Sequence, residues 1–403
     1  MSALLAWLLW ALTAGLAASI TLSETTLVVL AVLLVVGPRS ARPRAVWPLL
    51  GPLAAFALWT FVAALVSARP AESLLLASRG LLTLGAFYVV LNALPDGRAA
   101  GRFASGLLLA VGIVAILSMV QVGLCPASGT IESSHLVVRL LMRKCARARG
   151  FFSIYMTLAG VLTLVLISAL PRVALDGRRA RWAGPAWLAG MLALGLTAVR
   201  GAWLGFAAGC AACALGLRRR WLVLGALVLV LAVALAVEPH LLERVKTVGS
   251  LADDTTRDRL AMLDAGLGLA IAHPLTGIGP GQVKNVYSRV APPEALRRST
   301  SHLHNTPLQI VVERGLPGLA AWIAIWVGYF GAAWRVLRRV PPADEEARAL
   351  VLGSMAAIAA FLVAGLFEYN FGDTEVLLVA LALMALPFVV ERDLELDAPQ
   401  LRE

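Results

Sequence analysis

The chain has 403 residues, 60% of them hydrophobic and 15% charged, and a mean hydropathy of +0.82. Soluble domains carry about 45–50% apolar and about 25% charged residues. The composition therefore excludes a soluble globule, a disordered chain and a collagenous or disulfide-scaffold protein, and it implies a membrane protein. The net charge of +11 is mostly arginine, in short clusters between apolar runs. It reads first as membrane topology and second as an anion site, not as nucleic-acid binding.

Twelve apolar runs follow one another at 3–21, 25–37, 46–67, 74–95, 103–123, 151–170, 182–199, 201–217, 221–237, 315–334, 349–367 and 375–390. Most approach the roughly 20 residues that a spanning helix needs. The first lacks a basic leader and a cleavage site and is read as a retained helix. The second is short enough to be tilted or re-entrant. The expected fold is an all-α polytopic integral membrane protein of about 12 transmembrane helices.

Arginine clusters set the orientation. With the N-terminus in the cytoplasm, every second connection is basic: Arg39, Arg42 and Arg44; Arg98 and Arg102; Arg172, Arg178, Arg179 and Arg181; Arg218 to Arg220; and Arg335, Arg338, Arg339 and Arg348. This positive-inside pattern places both termini in the cytoplasm. One outer segment, 124–150, breaks the trend with Arg139, Arg143, Lys144, Arg147 and Arg149. It also holds Cys125 and Cys145, and the sequence leaves open whether they join. Cys210 and Cys213 lie inside an apolar run.

The longest non-spanning stretch, 238–314, falls on the outer side and is too long for a plain connection, so structure and function are expected there. The chain thus divides into 1–237 with helices 1–9, the outer loop 238–314, and 315–403 with helices 10–12 and a cytoplasmic tail. Within the loop, Leu260, Leu263, Leu267 and Ile271 recur at helical spacing, and Thr276-Gly277-Ile278-Gly279-Pro280-Gly281 reads as a turn. That turn lacks the lysine and preceding strand of a nucleotide-binding loop.

At the end of the loop stands His302-Leu303-His304-Asn305-Thr306-Pro307-Leu308-Gln309. Thr306 is the expected N-cap, Pro307 the first helical residue and Gln309 the partner in a capping box; Gly315 is a natural terminator with Pro317 beyond it. A short helix over 307–314 would then leave His304 just before its N-terminus. Free N–H groups and the positive dipole end attract phosphate there, and they favour the neutral, proton-accepting imidazole. Spacing alone is met as well by a capped helix beside an inert histidine. His302 and His304 form a His-x-His pair, but no third and fourth ligand follows, so no metal site is expected.

The stretch His304-Asn305, nine residues, Gly315, two residues, Gly318 resembles the signature of bacterial O-antigen ligases, members of the wider O-antigen ligase/polymerase superfamily. Arg200-Gly201-Ala202-Trp203-Leu204-Gly205 is similar to that family's arginine element at the outer end of a spanning helix, although Ala198-Val199 stands where a serine is usual. Asp258-Arg259-Leu260-Ala261-Met262 and His273-Pro274-Leu275-Thr276-Gly277-Ile278-Gly279 resemble its loop helix and turn, and Arg149-Gly150-Phe151-Phe152 the element that opens the sixth span. The motifs cover roughly 149–318.

The resemblance implies a GT-C-like glycosyltransferase of the bacterial inner membrane with a large structured periplasmic loop between helices 9 and 10. Its site would face the periplasm. It would move a glycan from undecaprenyl pyrophosphate, the O-antigen donor, onto an outer-core sugar of lipid A-core, with inversion and without metal, ATP or other cofactor. In that reading His304 is the general base, and Arg200 and Arg259 hold the pyrophosphate. Asn305, Arg79, Arg257, His302, Gly315 and Gly318 are candidate substrate-binding residues. Arg79 is the one basic residue inside an apolar run, free to snorkel outward or to reach the same phosphate. Glu368 and Asp373 border the last outer loop; they suit an acceptor site or an ordinary solvated loop. The alternatives are an O-antigen polymerase, a protein O-oligosaccharyltransferase, and a flippase for the lipid-linked glycan.

Overall fold

The computed structural model describes residues 2–37, 45–126, 128–130, 135, 138, 142, 144–175, 177–216, 225–229, 232 and 254–397. Among them the regular structure is helical, with no strand. In chain order the helices are α1 (Ser2–Ala18), α2 (Ile20–Val36), α3 (Leu50–Leu65), α4 (Pro70–Ala93), α5 (Gly97–Gly123), α6 (Tyr155–Leu175), α7 (Gly177–Leu196), α8 (Arg200–Gly216), α9 (Asp254–Ala272), α10 (Val283–Val290), α11 (Thr306–Arg339), α12 (Glu345–Ala364) and α13 (Thr374–Asp397). Of these, α4, α5, α6, α11, α12 and α13 are long and apolar enough to cross a membrane, and α1, α2 and α3 are shorter apolar helices. The protein is a polytopic, all-helical membrane protein.

Each expected apolar run falls on one of these helices except 221–237, of which only 225–229 and 232 lie among the described residues. The short second run is a helix of 17 residues, capped by the Ser19 hydroxyl, which accepts from the Leu22 amide. Polar caps start other helices in the same way: Asp96 accepts from Ala99 and Asp344 from Ala347. The bundle closes through small residues. A Cβ on Gly205 or Gly353 would stand 2.7 Å from the Ala360 carbonyl or 2.1 Å from the Ser168 carbonyl, so α8 and α6 meet α12 nearly backbone to backbone. Large apolar side chains such as Val28, Val35, Leu58, Leu82, Ile113 and Val327 point outward, as lipid-facing residues must.

Side-chain bonds separate the two ends of the bundle. At one end Arg172 pairs with Glu346 at 2.8 Å and donates to Gly101 O and Ser105 Oγ, and Arg392 donates to the Leu91, Leu94 and Pro95 carbonyls. Among the described residues, this end carries Arg98, Arg102, Arg335, Arg338, Arg339 and Arg348. At the other end the Gln121 amide bonds Gly150 O, Thr157 donates to Asp373, and Ser73 donates to Pro280 O. Cys125 and Cys145 are joined there by a disulfide, Cα atoms 5.5 Å apart, settling a pairing that the sequence left open. All the structure described in the outer loop, α9, α10 and the start of α11, packs on this second end.

Candidate functional site

The expected helix after His304 is present, but its cap lies one residue earlier. Asn305 adopts extended backbone and its side-chain oxygen accepts from the Leu308 amide at 2.9 Å. Thr306 is the first residue inside the helix, and its hydroxyl faces the loop after α12, where Glu368 O lies at 2.9 Å and Asn370 Oδ1 at 3.0 Å. Gln309 therefore completes no box with Thr306. Its oxygen accepts from the Leu303 amide at 2.8 Å and its nitrogen donates to Glu313 at 2.7 Å, so it holds the histidine segment from behind. Gly315 (φ 68°) breaks α11 into a short outer helix and a spanning one, as its place before Pro317 predicts.

Two further bonds, Thr306 N–H to Gly365 O and Asn305 Nδ2 to Leu366 O, fasten the start of the short helix to the 365–370 loop. That contact delivers Glu368 to the histidine. Glu368 Oε2 lies 2.8 Å from His304 Nδ1, and Oε1 lies 3.3 Å from the Arg259 guanidinium on α9. A carboxylate only accepts, so in a neutral ring the proton sits on Nδ1, and Nε2 is the nitrogen turned to a substrate hydroxyl. His304 holds φ at 50°, the left-handed region, which side chains other than glycine enter at a cost. His302 stacks edge-on with its ring centre 4.2 Å from that of His304. Burial, and then the neighbouring His304, push its pKa down to about 4, so it is neutral beside the acid–imidazole pair. Burial pushes the Tyr369 phenol up, so it too is uncharged.

The glycine turn forms the floor. Gly277, Gly279 and Gly281 all have positive φ. Ile278 N donates to Val312 O, Gly279 N to Glu313 O, Leu316 N to Pro274 O and Gly281 N to the Glu313 carboxylate. A Cβ on Gly277 would stand 2.4 Å from the Glu313 carbonyl carbon, and one on Gly315 2.0 Å from Leu275 O. Turn and helix end are thus one interlocked unit. Beneath it Glu313 pairs with Arg314 at 2.8 Å, and Arg314 bonds Thr60 and covers the Phe56 ring.

The other expected residues divide between two places. Arg200 is half-buried at the start of α8; its neighbour Gly201 abuts Phe367, where a Cβ would be 2.8 Å from that side chain's own Cβ. Arg259 and His304 thus meet on Glu368, and the start of α8, which carries Arg200, packs against the adjoining Phe367 through Gly201. Arg257 lies one half-turn before Arg259, with Nε buried and without a hydrogen-bond partner. Arg79 is elsewhere. It lines a cavity of about 310 Å³ between α3, α4 and α11, together with Arg314, Ser301 and Tyr369. Gly318 is packed: its Cβ would stand 2.3 Å from that of Arg314. Asp373 accepts from Thr157 and from the Val376 amide at the start of α13.

Glu368 is the residue that sequence reasoning underrated, since a loop acid 64 positions from the histidine looks solvated. Its aromatic setting, Phe367, Tyr369 and Phe371, was the available signal. Among the described residues no group of three or more His, Cys, Asp or Glu side chains is placed to hold a metal ion.

The family described as O-antigen ligase matches residues 184–323, from within α7 to the spanning part of α11. Among curated proteins none matches the chain.

Proposed function

We propose that this chain, of which residues 184–323 match the O-antigen ligase family, is an O-antigen ligase, a glycosyltransferase that moves a glycan from undecaprenyl pyrophosphate to an outer-core sugar of lipid A-core. The observation that carries this reading is the chain Arg259–Glu368–His304, in which a carboxylate holds a guanidinium at 3.3 Å and an imidazole at 2.8 Å. The end of the bundle with the site and the disulfide faces the periplasm of the inner membrane, and the arginine-rich end, with both termini, faces the cytoplasm.

In this mechanism His304 Nε2 takes the proton of the acceptor hydroxyl as its oxygen attacks the anomeric carbon. The carbon–oxygen bond to the pyrophosphate breaks with inversion, and the electron pair leaves with the phosphate. Arg200 and Arg259 hold that growing charge, and bidentate guanidinium contacts suit phosphate oxygens. Glu368 fixes the tautomer of His304 and stabilises the imidazolium that forms. The donor is already activated, so no nucleotide hydrolysis enters. The cavity lined by Arg79 is the proposed entry for a lipid-borne phosphate between α3 and α4.

The test is transfer by the purified protein in proteoliposomes with defined donor and acceptor lipids. A ligase gives glycosylated lipid A-core. A polymerase instead lengthens the lipid-linked glycan and leaves lipid A-core unchanged, and that product would replace the ligase reading.

A further inference from the structure

The apolar stripe of α9 is on the wrong face for packing. Its buried face is Met262, Ala265 and Leu269, which join Leu303, Leu308 and Val312 in a small core of their own. Leu260, Leu263, Leu267 and Ile271 point away from that core and are 43%, 41%, 49% and 79% exposed. Four large apolar side chains at spacings of three and four form one stripe, with exposed Asp264 at its edge, and an outer loop in water has no reason to keep such a stripe.

Two contacts fix where the stripe lies. The start of α9 meets Glu368, beside the outer end of α12, through Arg259. Its far end runs into Pro274, whose carbonyl accepts from Leu316 N at the top of the spanning part of α11. So α9 lies across the end of the bundle, alongside the short helix that follows His304. At that far end Ile271 leads to Leu275 and Leu316, 68% and 58% exposed, and these lead down to Ile323 and Val327 on the outward face of α11. The stripe is therefore continuous with a face that already meets lipid.

We infer that α9 is an interfacial helix, lying in the outer surface of the bilayer with Leu260, Leu263, Leu267 and Ile271 among lipid acyl chains. Such helices bury their apolar face by about 5–10 Å at the headgroup boundary. Arg259 stands about 100° around the helix from Leu260, which puts its guanidinium at phosphate depth while its own carboxylate partner stays with the bundle. Asp258 holds the following segment against α9 through the Leu296 and Arg297 amides and pairs with exposed Arg297 at 3.4 Å, which adds positive charge beside Arg259. The inference rests on the membrane-spanning fold and not on the chemistry of transfer.

Quenching of a bimane label tests it. Cys210 and Cys213 are fully buried and Cys125 and Cys145 are bonded, so the label goes to a cysteine introduced by Leu267→Cys or, as an aqueous control, by Glu294→Cys in the exposed turn after α10. The proteins are placed in phosphatidylethanolamine–phosphatidylglycerol vesicles. Lipid carrying a nitroxide on its acyl chain should remove most of the emission at position 267 and little at 294, and aqueous iodide should do the reverse. Iodide quenching at 267 equal to that at 294 would put the stripe in water and overturn the inference. Protection of 267 from both quenchers would mean that protein, such as a second copy of the chain, covers it, and would overturn it as well.

Discussion

Glu368 and His304, 64 residues apart, meet at 2.8 Å because the first turn of α11 is bonded to the loop that follows α12. The carboxylate makes one histidine tautomer the useful one, so an isosteric change should be nearly as harmful as a deletion. In Glu368→Gln the amide can donate to Nδ1, which moves the ring proton to Nε2 and removes the base. Transfer should fall by about 10²–10⁴, while Glu368→Asp keeps part of the rate. The check is kcat for both variants with defined lipids; a Gln variant at the wild-type rate would show that the pair has no part in proton transfer.

His302 gives a pH-dependent stability. Its folded-state pKa of about 4 lies below its ordinary value of 6.5. Between these values the unfolded chain binds more protons than the folded one, so stability rises with pH. Its contribution is complete above about pH 6.5 and is lost as pH falls through 4. A drop of about 3 kcal/mol is the upper end for a shift of that size. Melting of the protein in detergent should therefore shift down on acidification, and His302→Phe should flatten the slope.

The interlocked glycines set a second stability expectation. Gly277→Ala and Gly315→Ala place a Cβ against backbone and force a positive φ on alanine. Each should cost about 1–3 kcal/mol or more and lower both Tm and transfer. Gly331→Ala in the spanning part of α11 meets nothing within 4 Å and should be neutral or stabilising by up to about 1 kcal/mol. Equal Tm values for all three would deny the turn its structural role.

Much of this was legible in the chain and some was not. Spanning helices show as apolar runs because lipid demands continuous hydrophobicity, and Gly315 showed as a break because only its backbone suits the turn. The cap slipped from Thr306 to Asn305 because both residue types can cap, and a tertiary bond to Glu368 O took the Thr306 hydroxyl. α10 was read as part of a loop; it has eight residues and is held by Val283 and Tyr287, too few for a periodic signal. Glu368 stayed hidden because its partners come from other elements, Arg259 and His304, and no local pattern encodes such a meeting.

The disulfide tests the orientation. A bond between Cys125 and Cys145 persists in an oxidising compartment. Removing it with Cys125→Ser should cost about 2–4 kcal/mol. In intact spheroplasts an impermeant phosphine followed by an impermeant maleimide should label this pair. Labelling only after permeabilisation would place this end, and the site with it, in the cytoplasm.

In the proposed mechanism His304 takes the proton of the attacking sugar hydroxyl. Purified wild type and His304→Ala, matched for melting temperature and reconstituted with undecaprenyl-pyrophosphate-linked glycan and lipid A-core, test it most directly. The transfer rate of the variant should fall by about 10²–10⁴. Transfer by His304→Ala at the wild-type rate would contradict it.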